Sequence, residues 1–191
     1  TLLVNNTPGS GTGANTVSVQ AAATLGGTGT IAGATTIDGT LASGSNGVGK
    51  LTFGNGLAVN GTSVWQIDAN SSASGFDSVG LTGGNLTLGD SSVFQINPLS
   101  GVDFSDSFWA SAQSWAVIDN TGAGTIGGTF SSIGGTVSNA FGSFALAYGS
   151  GAGGDVMLNW TPTAIPEPSS FAALTGLGAL GIAGLRRRAR S

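Results

Sequence analysis

Glycine sets the terms for this chain. It supplies 35 of the 191 residues and cuts the first hundred into short apolar runs: Thr16–Val19, Thr24-Leu25, Thr35–Ile37 and Thr40-Leu41, punctuated by Gly26-Gly27, Gly33 and Gly39. Runs of three to five residues are too short to stand as independent hairpins, but they stack well. Glycine supplies the positive-φ corners between them. One longer repeat pairs Leu57–Asp68 (LAVNGTSVWQID) with Leu86–Asn97 (LTLGDSSVFQIN) at an offset of 29 residues, with Val64, Gln66 and Ile67 answered by Val93, Gln95 and Ile96, and Trp65 by Phe94. A period of this size signals a solenoid, propeller or array. The pattern predicts an all-β solenoid, its Val, Leu and Ile facing inward and its Thr, Ser and Asn outward.

Two other folds fit the same letters, a β-sandwich of many short strands and a largely disordered linker. Disorder goes with few apolar residues and many charges. Here 40% of residues are hydrophobic and 7% charged, so an ordered, turn-rich β protein is expected. Before Pro166 stand eight Asp against Lys50 alone, a net of −7. Such a body repels phosphate backbones, and no nucleic-acid partner is expected. The chain has no cysteine and no histidine, which removes disulfides, thiol nucleophiles, His-based triads and His-ligated zinc. Thr1 opens the sequence without a charged and apolar leader, so an export signal is expected upstream.

The expected organisation is β-solenoid repeats over 1–100, an aromatic-rich β cap continuing the solenoid over 101–162, and a tail over 163–191. Phe108, Trp109, Trp115, Phe130, Phe141, Phe144 and Tyr148 crowd one stretch. They would form either a carbohydrate-stacking surface or an apolar cap closing the stack; the cap is favoured because large aromatics are usually buried.

Candidate chemistry is sparse. Asp103 and Asp106 are the nearest carboxylate pair, and Asp68 and Asp77 could converge across a coil, as in glycosidases and lyases on β-helix scaffolds. Isolated Asp residues in turns more often make local backbone hydrogen bonds, so the protein is expected not to be an enzyme; a carbohydrate-active enzyme is the alternative. Calcium between Asp103 and Asp106 would lack any calcium-loop spacing, and no cofactor is expected. Gly44–Lys50 spells G-x-x-x-x-G-K, but Leu51 replaces the Mg²⁺-binding hydroxyl and a strand-like run follows where a helix is needed. Gly149–Gly154 matches G-x-G-x-x-G and also leads into a strand-like run, so a turn is expected. Asn5, Asn60, Asn70 and Asn85 head N-x-[ST] sequons, as composition alone predicts.

The tail is sharper. Pro166-Glu167-Pro168 makes a stiff, extended hinge. The uncharged run from Phe171 to Leu185 follows, carrying Leu174, Leu177, Leu180 and Ile182, and then Arg186, Arg187, Arg188 and Arg190. As a helix this run reaches ~22 Å, and snorkelling arginines extend it toward the bilayer's ~30 Å. A single transmembrane helix with a cytoplasmic basic stop is expected. This three-part order resembles the PEP-CTERM sorting signal of Gram-negative bacteria. Separately, Ala23–Ile31 and Leu51–Gly54 resemble the autotransporter-associated β-strand repeat, which implies a right-handed parallel β-helix on a secreted passenger. The PEP-CTERM resemblance implies an exosortase as processing partner, an inner-membrane intermediate, and a final place at the cell surface or in the extracellular matrix. The expected function is structural or adhesive, with exopolysaccharide as a candidate contact.

Overall fold

The computed structural model describes residues 1–163. Pro166, Glu167 and Pro168, the apolar run from Phe171 to Leu185 and the arginines from Arg186 to Arg190 lie outside the described residues, as does the expected membrane helix.

The described chain is all-β, with one 3₁₀ turn at Ser107–Ala110. It winds through three parallel sheets in a fixed cyclic order. Face 1 stacks Leu2–Leu3, Thr24–Gly27, Thr40–Ser43, Thr62–Ile67, Val93–Pro98 and Ser132–Gly135. Face 2 stacks Thr30–Ile31, Lys50–Phe53, Ser78–Leu81 and Gln113–Asn120; face 3 stacks Val17–Val19, Thr35–Ile37, Leu57–Val59, Leu86–Leu88 and Ile126–Gly127. Parallel pairing throughout these stacks is the path of a solenoid, and the sandwich alternative does not hold. At the far end Val156–Pro162 and Gly142–Tyr148 add to face 2 as antiparallel strands.

The coils widen along the chain. On face 1 Thr24 pairs with Thr40, Thr40 with Thr62, Thr62 with Val93 and Val93 with Ser132, so successive turns take 16, 22, 31 and 39 residues. The narrow coils are filled by Leu25, Ile31, Ile37 and Leu41, all fully buried. A wider coil lined only by aliphatics would leave voids that close-packed interiors do not tolerate. Trp65, Trp109, Trp115, Phe144 and Trp160 fill it instead, each at most 4% exposed, with Trp65 edge-on to Trp115 at 5.6 Å.

The repeat seen in the sequence is real on one face and slips on another. Leu57 pairs with Leu86 at the 29-residue offset, but Thr62 pairs with Val93 at 31, because the corner at Gly89–Ser92 is longer than that at Asn60-Gly61. Trp65 therefore lies beside Ile96, and Phe94 beside Ser63. A slip of two preserves which side chains face inward, and it sets a large ring next to a small neighbour.

The first edge of face 2 is covered. At the start, the loop after Val4 stands in for a strand: Thr30 N donates to Asn6 Oδ1 (3.1 Å), Ala32 N to Ser10 Oγ (3.0 Å) and Gly11 N to Thr30 O (2.9 Å). Side chains thus occupy backbone groups that would otherwise invite edge pairing. At corners the coils approach too closely for a side chain. A Cβ on Gly61 would sit 2.0 Å from the Gly39 carbonyl oxygen.

Candidate functional site

The longest excursions of the wide coils leave the stack at one corner, between faces 1 and 2. Residues 68–77 make the first excursion and 99–112 the second, and the second lies on the first. Asn70 joins them: its Oδ1 accepts from Asp103 N (3.1 Å) and from the buried Trp109 Nε1 (2.8 Å). Trp115 Nε1 donates to Ser71 O (3.1 Å), and Trp160 Nε1 to Trp109 O (2.9 Å). Three indole N–H groups are thereby satisfied inside an aromatic cluster, as burial requires.

Each carboxylate singled out in the sequence has a definite place here. Asp103 Oδ1 accepts from Ser105 N (2.9 Å) and Ser105 Oγ (2.7 Å), and these bonds hold its pKa below the usual carboxylate value. Asp106 caps the 3₁₀ turn by accepting from Phe108 N (2.8 Å). Both are exposed residues engaged in local turns. Asp77 is 1% exposed; its Oδ1 accepts from Gly49 N (2.8 Å) in the preceding coil and its Oδ2 from Gln66 N (3.1 Å) in its own. Burial pushes its pKa up to about 7 against the pull of those two donors, and the charge of Asp68 adds to the rise. Asp68 and Asp77 do come within electrostatic reach, at the two ends of one excursion bridged by Ile67 and Phe76 and not across coils. The space touching Asp77 is about 10 Å³, room for no more than one water, so no substrate reaches this carboxyl.

The two phosphate-loop spellings have other uses. Gly44 (φ 92°), Asn46 (φ 63°) and Gly47 (φ 150°) shape a corner that runs into the strand Lys50–Phe53. Lys50 Nζ is held by Asp119 Oδ2 at 2.7 Å, two coils away, and reaches it across Gly80, where a Cβ would fall 2.7 Å from Lys50 Cε. Gly149–Gly154 is the turn between the two closing antiparallel strands, with Gly149 N donating to Asp155 O (2.8 Å).

Most of the aromatic stretch is interior, so a broad sugar-stacking surface is absent. Phe141 is the exception at 42% exposure. It stands beside an open groove of about 480 Å³ lined by Phe104, Asp106, Trp109, Ala110 and Pro162 and reaching Thr163. Among the described residues no three acidic side chains gather where a metal ion could be held. Nor is any helix among them long and apolar enough to cross a membrane. No protein-family model matches the chain, and no curated protein matches it.

Proposed function

We propose that this chain is an exported, non-enzymatic surface or matrix protein of a Gram-negative bacterium, sorted through its C-terminal tail. The observation that carries the reading is the order of that tail: Pro166-Glu167-Pro168, then an uncharged run to Leu185, then four arginines in the last six residues. The run spans the inner membrane as a helix, the arginines stay cytoplasmic, and an exosortase recognises the Pro-Glu-Pro hinge. The body winds right-handed, as parallel crossovers do, and serves as a stiff spacer that meets exopolysaccharide outside the cell.

Two features of the body support this use. Its backbone is tied coil to coil, which resists proteolysis of local openings. Asp103 and Asp106 bond within their own turns, and Asp77 sits in a closed interior position. The test is the intact mass and C-terminal peptide of protein recovered from the envelope and extracellular fractions of its native host. Loss of everything beyond the Pro166–Pro168 region is the expected result. An intact Arg190-Ser191 terminus would reduce the tail to a plain anchor, and absence from both fractions would overturn the reading.

A further inference from the structure

We infer that the groove beside Phe141 binds a neutral saccharide chain, with the phenyl ring as its stacking platform; this rests on the reading of the body as a matrix-facing protein. Among the described residues the large apolar side chains of this half are otherwise buried or half-buried, the other exposed ones being Leu2 and Leu3 at the opposite end. The backbone that carries the Phe141 ring is held on both sides. Its N–H donates to Asn139 Oδ1 (2.8 Å), and its carbonyl accepts from Thr163 N (2.7 Å). A platform fixed before binding loses little entropy on binding.

The same groove also carries complementary chemistry. Asp106 is anchored by its bond from Phe108 N, which orients its carboxylate as an acceptor, and Ser105 and Ser107 add hydroxyls beside it. A pyranose presents C–H groups on its faces and hydroxyls at its edges. An open groove lined by aromatic rings together with a carboxylate and hydroxyls matches both, as sites built from apolar walls and a few placed polar groups do.

Charge selects among saccharides. Among the described residues Lys50 is the one basic side chain, and Asp119 holds it. With Asp103 and Asp106 close in sequence on the same excursion, a uronate, sulfate or phosphate meets repulsion and finds no counterion among the described residues. The chain that fits is uncharged.

The test uses the full chain in a zwitterionic detergent, since glycoside detergents would compete. Maltohexaose and cellohexaose are titrated by calorimetry, with hexagalacturonate as the acidic comparison. At least one neutral hexasaccharide should bind saturably, weakened about tenfold or more by Phe141→Ala and restored by Phe141→Trp, with thermal midpoints unchanged because the ring is half-exposed. Equal binding of hexagalacturonate, or binding indifferent to Phe141→Ala, would overturn the assignment. So would the absence of any neutral binding, and if Phe141→Ala then also reduced self-association by light scattering, the groove would belong to a second copy. Failure here leaves the fate of the tail, read by mass, as a separate result.

Discussion

At Asp77 two demands oppose each other. Its two carboxylate oxygens each take a backbone N–H, from Gly49 and Gln66, which favours the charged form. Its burial favours the neutral one and prevails, with a pKa of about 7 against 3.8 for the free side chain. Between those values the folded chain holds a proton that the unfolded chain has released, so stability falls as pH rises through this window and levels off above it. A shift of this size is worth on the order of a few kcal/mol. Asp103, held below its usual value, acts in the opposite sense but only in more acidic solution, where its bonds from Ser105 are lost as it protonates. The thermal midpoint should therefore drop from pH 4 to pH 7.5, and Asp77→Asn should flatten that slope. The variant also loses an acceptor and is less stable throughout, so the slope is the diagnostic. A slope that survives Asp77→Asn would place the titration elsewhere.

Between elements, the joint that matters most is Asn70, which receives both the Asp103 backbone N–H and the Trp109 indole N–H from the second excursion. Asn70→Ala leaves a buried indole donor unpaired, a cost of about 1–3 kcal/mol. Asn70→Asp keeps the acceptor and should lose less. Urea unfolding of the two variants beside the parent measures the difference, and equal midpoints for Ala and Asp would show that the hydrogen bonds do not hold the lobe. The strands themselves were legible: Thr35–Ile37 is a strand with the bounds read from the letters, and Thr24-Leu25 and Thr40-Leu41 lie at the starts of Thr24–Gly27 and Thr40–Ser43. The strands followed from glycine corners and run length, because those are local properties. The joints were not legible, because their partners lie one coil away in sequence. Asn5, Asn60, Asn70 and Asn85 read as compositional sequons, yet each ties its coil to a neighbour, through Thr28 N, Asp38 Oδ1, Asp103 N and Thr125 N. Their position at the ends of apolar runs was the available signal. The buried ring cluster was legible as a crowd of aromatics, but no periodicity marked Phe141 as the ring left outside.

Across the whole described molecule, the widening of the coils sets a gradient of stability. In a solenoid each coil touches only its neighbours, so local stability follows local burial. The first coils bury single aliphatic side chains and leave Leu2 and Leu3 about half exposed, at 50% and 49%. The last coils bury four tryptophans and are closed by two antiparallel strands. A buried aromatic contributes more than an aliphatic by virtue of its area alone, and losing one costs about 3–5 kcal/mol. Local openings should therefore begin at the narrow end and rarely reach the wide one. Hydrogen exchange of the full chain, read by mass spectrometry, should show the fastest amides in Leu2–Leu3 and Val17–Val19 and the slowest in Gln113–Asn120 and Val156–Pro162. Trp115→Ala should bring the slow end toward the fast one, since that ring meets Trp65, Trp109 and Phe144 at centroid distances of 5.6, 5.8 and 6.0 Å. Uniform exchange along the parent chain would mean that the coils open as one unit, and that the aromatic end stabilises the narrow end across the full length of the stack.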